Sequence, residues 1–253
     1  MTANPVKMKL KEGKPVMGAV MSTPSLGNMQ VLSRSGLDWV WIDMEHGPID
    51  LESAHALILA TQGTPAVPVV RIPWKEEWMA KRVMDAGAMG VVFPFIKTRE
   101  EAEAAVAAVK YPPEGVRGFS PALAAHRQGM PLADYPRWAN ENILCLLLIE
   151  HQEAVKNIDA ILSVPGIDAA IIGHMDLSGS YGLLGQITHP QVAGAMRQIL
   201  EAGQRHQVPV GIAATTAEAI QKRLAEGYRW ISIGSDIALL LSAVQQLLSA
   251  AGR

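Results

Sequence analysis

Short, continuous apolar runs alternate with longer amphipathic segments along the whole chain. The runs are Val16–Met21, Trp39–Asp43, Val67–Arg71, Gly90–Pro94, Ile143–Glu150, Ala169–Ile172, Val210–Ala213 and Trp230–Gly234. Most are apolar at consecutive rather than alternate positions, as strands covered on both faces of a parallel sheet must be. Between them, helical periodicity predicts Ser25–Ser35, Leu51–Thr61, Glu76–Ala86, Arg99–Val109, Ala154–Val164, Pro190–Ala202, Ala217–Glu226 and Ile237–Ala250. Thr98 stands as an N-cap before Arg99, Pro190 suits a first helical position, and Gly36, Gly87, Gly203 and Gly227 stand where helices should stop. Eight strands, each followed by a helix, predict a (β/α)8 TIM barrel, one domain over residues 1–253.

One connection breaks the rhythm, from Lys110 to Asn142. Loops of that length inside compact domains tend to be covers or interface elements. Because it precedes the fifth strand, part of it has to cross the N-terminal end of the barrel.

Composition narrows the ligand. Hydrophobic residues make up 49% of the 253 and charged ones 18%, which supports a full core and excludes a disordered chain. Lys and Arg (22) nearly balance Asp and Glu (24), with no long basic stripe, so neither nucleic acid nor an anionic membrane is expected as partner and a small molecule is. The single cysteine, Cys145, lies in an apolar run, which excludes an intrachain disulfide and predicts a buried thiol. The N-terminal stretch Met1-Thr-Ala-Asn-Pro-Val-Lys-Met lacks the apolar core of a signal peptide, and nothing approaches the ~18 uninterrupted apolar residues of a membrane span, so a cytoplasmic location is expected.

Barrel chemistry gathers at the C-terminal ends of strands. There the sequence places Asp43-Met-Glu45-His46, Arg71, Glu150 and the stretch Gly173-His174-Met175-Asp176. Glu150 and Asp176 can supply oxygen ligands to a hard divalent cation; equally, each can cap a helix or pair with Arg71. Histidine is the side chain whose unperturbed charge change falls nearest neutrality, so His46 suits a general base, with Asp43 as the partner that fixes its tautomer, although a histidine near a turn is commonly just hydrogen-bonded. Arg71 leaves an apolar strand and needs an anionic partner.

Trp41-Ile-Asp43-Met-Glu45-His46-Gly, Val69-Val-Arg71, Phe93-Pro94, Tyr111-Pro-Pro-x-Gly115-x-Arg117-Gly118, Glu150, Gly166-Ile-Asp168 and Gly173-x-x-Asp176-Leu-Ser178 follow in order. As an ordered set over about Val16 to Gly234, they resemble the HpcH/HpaI family of metal-dependent class II pyruvate aldolases. The resemblance implies a barrel of the phosphoenolpyruvate/pyruvate-binding type that cleaves a 4-hydroxy-2-oxo acid to pyruvate and an aldehyde. It implies that Glu150 and Asp176 hold Mg2+, Mn2+ or Co2+, that Arg71 contacts the keto oxygen, and that His46 paired with Asp43 is the acid/base group. Gly173 and the N–H groups near Met175 and Asp176 would take the pyruvate carboxylate, and the assembly would be a homohexamer with the helix at about 237–250 exchanged between neighbours.

The chain departs from the family pattern at His174, where Pro is usual, and at Leu148, where Gln is common. His174 adds an imidazole beside the carboxylate site and is a candidate substrate contact; Leu148 reads as core. Glu45 faces either the metal's water shell or a neighbouring subunit. Lys97 raises a Schiff-base aldolase, but its charged surroundings do not suggest the desolvated pocket such a lysine needs. Two further readings stand beside the aldolase: a lyase of CoA thioesters of the malyl-CoA or citryl-CoA type, and an oxo-acid-binding barrel without turnover.

Overall fold

The computed structural model describes residues 3–252; residues 1, 2 and 253, part of the expected single domain, lie outside the described residues. In chain order the elements are α1 (Pro5–Lys11), β1 (Val16–Met21), α2 (Leu26–Arg34), β2 (Trp39–Asp43), α3 (Leu51–Ala60), β3 (Val67–Arg71), α4 (Glu77–Asp85), β4 (Gly90–Phe93) and α5 (Arg99–Val109). There follow α6 (Ala122–Arg127), α7 (Tyr135–Asn142), β5 (Leu144–Ile149), α8 (Gln152–Lys156), α9 (Ile158–Leu162), β6 (Ala169–Ile172) and α10 (His174–Ser180). The chain ends with α11 (Pro190–His206), β7 (Val210–Ala213), α12 (Ala217–Glu226), β8 (Trp230–Ser235) and α13 (Asp236–Ala250). The strands pair in parallel, in sequence order, and close on themselves, a (β/α)8 TIM barrel. Among the described residues no helix is long and apolar enough to cross a membrane.

All eight apolar runs are strands; most are buried on both faces, which leaves a nearly unbroken apolar signature, whereas β8 is only half-buried beyond Ile231. The short helices α1, α6, α7 and α10 escape sequence reading, since one or two turns cannot display an apolar stripe. The helix expected at Ala154–Val164 is two pieces, α8 and α9, joined at Asn157. Gly203 does not stop α11, which runs on to His206 and ends at Gln207 with φ 57°. A Cβ on Gly203 would lie 2.2 Å from Val210 Cγ2 and 2.8 Å from the Val208 carbonyl oxygen, so this glycine serves close helix–strand approach.

The two ends of the barrel are built differently. At the N-terminal end, Asn4 caps α1 and donates to the carbonyls of Met89 (3.3 Å) and Asn142 (2.9 Å), while Lys7 reaches Ile143 O and Asp168. The long connection belongs to this end: α6 packs on α4, the Arg127 stem crosses Gly87, and its Nη2 donates to Thr61. Arg117, fully buried, pairs with Asp85 and lies over the rings of Tyr111 and Tyr135. Cys145 is buried, and burial pushes its thiol above the ordinary range. Leu148 is core, as expected.

Within the barrel wall, Trp39 of β2 and Trp230 of β8 stack at 4.4 Å between ring centroids. Those strands flank β1, where Gly18 leaves the space; a Cβ there would sit 2.2 Å from the Trp39 ring. Outside, α13 leaves Ile237, Leu240, Leu241, Val244, Leu247 and Leu248 exposed.

Two substitutions in α11 separate packing from propensity. Gly194 has no heavy atom within 4 Å of an added Cβ, so Gly194→Ala is expected to stabilise by about 0.5–1 kcal/mol. Gly203→Ala should instead destabilise by about 1–2 kcal/mol, because a backbone oxygen cannot yield as a flexible side chain can. Urea denaturation of both variants measures the two signs.

Candidate active site

Strand register brings the first pair together. Asp43 and Arg71, at the ends of neighbouring strands β2 and β3, stand opposite each other. Arg71 Nε donates to Asp43 Oδ1 (2.9 Å) and Nη2 to Oδ2 (2.6 Å), a two-pronged contact between largely buried groups. Burial works against the guanidinium charge, but the hydrogen bonds it donates to Asp43 and the charges of Asp43, Glu45 and Glu150 outweigh it and hold the Arg71 pKa above its ordinary value.

This corrects the expected Asp43–His46 dyad. Asp43 meets His46 only through the backbone, accepting from the N–H groups of Glu45 (3.1 Å) and His46 (3.2 Å), so its carboxylate shapes the turn. The His46 ring is exposed, and its acidic neighbour is Glu45, with Nε2 3.9 Å from Oε2. Sequence adjacency suggested one partner; the register of β2 and β3 supplied another.

Glu45, left ambiguous by the sequence, stands at the centre of the cluster. Its Oε2 is 3.0 Å from Arg71 Nη1, yet the angle makes this an ion pair only, and the atom is buried without a hydrogen bond. Burial pushes the Glu45 carboxyl up, Arg71 and His46 pull it back, and Asp43 and Asp176 add to the rise.

Glu150 follows β5 and is 2% exposed. Its Oε1 accepts from the Phe95 N–H at 2.8 Å. Phe95 takes φ 51°, a strained value for a residue other than glycine. Lys75 holds this bend by donating to the Phe95 carbonyl (3.1 Å). No motif marked Phe95, because its contribution is a backbone N–H. Burial pushes Glu150 up to about 8; the Phe95 N–H opposes, the charges of Glu45 and Asp176 add, and Arg71 opposes.

Asp176, expected at a strand end, lies in the first turn of α10, exposed beside Met175. No side chain caps this helix, so the N–H groups of its first turn, Met175 and Asp176 among them, have no partner from a cap. The Gly173 N–H is already used, donating to Ile149 O at 3.2 Å, which removes it from the expected carboxylate donors. Gly173 instead admits Glu150: a Cβ would stand 2.5 Å from Glu150 Oε2. His174 is held below the usual histidine range by burial and by Arg223 of α12, with Asp176 opposing. Lys97 lies with its ammonium 6.0 Å from the centre of the Phe95 ring.

The cluster therefore sets Asp43, Glu45 and Glu150 around the permanent cation Arg71, with Asp176 close enough to act on Glu45 and Glu150. A buried, unsatisfied Glu45 oxygen and a Glu150 carboxyl raised partly by neighbouring acids are groups that a bound positive charge would stabilise, so the donor set fits a hard divalent cation. Among the described residues no three His, Cys, Asp or Glu side chains converge closely enough to enclose one. Two carboxylates with the remaining positions open would be the arrangement.

Comparison with known proteins fixes the class. The 5-keto-4-deoxy-D-glucarate aldolases of Shigella dysenteriae and Escherichia coli O6:H1 are each 39% identical to the chain over 220 residues, covering 86% of it and 85% of theirs. The crystal structure of an HpcH/HpaI aldolase/citrate lyase family protein from Burkholderia cenocepacia J2315 matches with a TM-score of 0.92 and 34% identity, covering 99% of this chain and 100% of that one. The citrate synthase SbnG matches with a TM-score of 0.87 and 31% identity, covering 97% and 96%. The protein is a carbon–carbon lyase of the class II pyruvate aldolase kind. It belongs to the HpcH/HpaI aldolase/citrate lyase family, whose pattern it matches over residues 22–243.

The Glu150 shift has a defined sign. Below about pH 4.5 the carboxyl is protonated folded and unfolded; from there towards about 8 the unfolded chain releases the proton while the folded one keeps it. Stability linked to Glu150 is thus lost as pH rises through that window and is level above it. In metal-free protein, the urea midpoint of the parent should fall relative to Glu150→Gln between pH 5 and 8, and equal slopes for the two proteins would contradict the shift.

Proposed function

We propose that the protein reversibly cleaves a 4-hydroxy-2-oxo acid to pyruvate and an aldehyde, with Mg2+, Mn2+ or Co2+ held by Glu150 and Asp176. The observation that carries this reading is three carboxylates, Asp43, Glu45 and Glu150, facing the Arg71 guanidinium at the C-terminal mouth of a barrel, with Asp176 acting on Glu45 and Glu150. The names of the aldolase relatives support an oxo acid derived from a sugar acid as substrate. A single domain in a homohexamer is part of the proposal: α13, whose apolar side chains face solvent, would be exchanged between neighbours. A cytoplasmic location completes it.

Cleavage leaves electrons on the pyruvate fragment as an enolate, too basic to form freely in neutral water. Held by Glu150 and Asp176, the cation would supply positive charge where that enolate develops. Arg71 acts at the same oxygen: of its five N–H groups, Asp43 occupies two, so N–H groups on Nη1 and Nη2 can still donate to substrate. Asp43 keeps the guanidinium aimed. The Met175 and Asp176 N–H groups receive the carboxylate. His46 takes the 4-hydroxyl proton as the carbon–carbon bond breaks, and Glu45 steadies the imidazolium that results.

The likeness to a citrate synthase favours a second reading, a lyase of CoA thioesters. Turnover of malyl-CoA exceeding that of 5-keto-4-deoxy-D-glucarate would select it. Under the first reading, activity disappears on chelation and returns with Mg2+, Mn2+ or Co2+, while borohydride with pyruvate leaves no adduct on Lys97; full activity after exhaustive metal removal would defeat it.

His46 and Glu150 should separate. His46→Ala is expected to lose aldol cleavage while still binding Mn2+ and pyruvate, whereas Glu150→Ala loses both, since one carboxylate retains a hard cation weakly. Titration of Mn2+ and pyruvate into each variant, followed by cleavage assays, checks the pair.

A further inference from the structure

Asp236, the first residue of α13, is 6% exposed although the apolar side chains that follow it are in solvent. It is not needed as a helix cap: Ser235 does that, its Oγ accepting from the Ala238 N–H at 3.2 Å. The Asp236 carboxylate instead holds the β1–α2 connection and the first turn of α2. It accepts from the Ser22 N–H (2.9 Å), from the Thr23 hydroxyl and from Asn28 Nδ2 (3.3 Å). That connection in turn leans on the turn after β2. A Cβ on Gly47 would stand 3.0 Å from the Ser22 carbonyl oxygen and 2.5 Å from that of Asp43, so the two backbone segments pass too closely for any side chain between them. Glu45 and His46 lie on the strand side of Gly47, in the same turn, and Asp43 fixes their N–H groups from below.

We propose that Asp236 is a positioning residue for the cleavage step: by holding Ser22 and Thr23 it keeps the Ser22 backbone against Gly47 and so sets the turn that carries Glu45 and His46. The root of α13 and the acid/base turn are then one mechanical unit, and whatever holds α13 in place also steadies the turn. The inference rests on the acid/base reading of His46.

The test uses full-length enzyme loaded with Mn2+, with 5-keto-4-deoxy-D-glucarate as cleavage substrate and pyruvate as binding probe. Asp236→Ala should lower kcat for cleavage by about tenfold or more, the scale of a small misplacement of a reacting group. Pyruvate affinity should stay within about twofold, because the groups that bind it are on other elements. Asp236→Asn, which keeps the shape but only one of the two accepting oxygens, and Thr23→Val, which removes one donor without changing volume, should both fall between Asp236→Ala and the parent.

A parent-like kcat in Asp236→Ala overturns the proposal, as does equal loss of cleavage and pyruvate binding, the mark of general loosening. If Asp236→Ala does not fold, Thr23→Val decides: a lowered kcat with unchanged pyruvate binding supports the clamp, and parent kinetics overturn it. His46→Ala run alongside separates the two ideas. Parent-rate cleavage there overturns the acid/base reading and this inference together, whereas a dead His46→Ala beside a parent-like Asp236→Ala overturns this inference alone.

Discussion

The contact between Asp43 and Arg71 organises the site. A guanidinium at the end of a buried strand cannot shed its charge, so it must be paired, and the parallel register of β2 and β3 presents Asp43 at the same level. The pairing has a second consequence, because the oxygen that accepts from Arg71 Nε also accepts from the next two backbone N–H groups that matter, those of Glu45 and His46. One carboxylate therefore aims the cation and folds the turn. Removing it would leave Arg71 with Glu45 as a one-point partner and would free the turn at once.

Around that pair the site is anionic, and the excess is concentrated by burial. Glu150 and Glu45 are both pushed towards the protonated form, first by desolvation and then by each other's neighbours. An enzyme that only needed to be stable would not place acids together like this; replacing them by apolar groups of similar size often costs nothing. Phe95, bent into a positive φ to bring its N–H to Glu150, belongs to the same account.

Much of this was legible in the sequence, and the reasons differ by feature. The eight strands are visible because most are apolar at consecutive positions, and their ends point to His46, Arg71, Glu150 and Asp176, which the structure places at or just beyond the C-terminal ends of β2, β3, β5 and β6. What could not be read depends on relations across the sheet or on backbone. Asp43 was matched to its neighbour in sequence rather than to its neighbour in register. Gly173 was read as an amide donor, whereas the absence of its side chain is what makes room for Glu150. Gly203 was read as a stop because composition alone does not distinguish a glycine that ends a helix from one that lets it touch a strand.

The stacked Trp39 and Trp230 lie on strands separated by most of the chain, and they can meet only after β8 has joined β1 and the ring of strands is complete. Parallel closures between such distant segments are slow to form, since the intervening chain must be ordered before the contact is gained. Two indoles stacked at 4.4 Å in a rigid wall also couple optically. The near-ultraviolet dichroism of this protein should thus carry a band that is silent in any open-sheet intermediate, an intrinsic optical signal for the moment the barrel shuts.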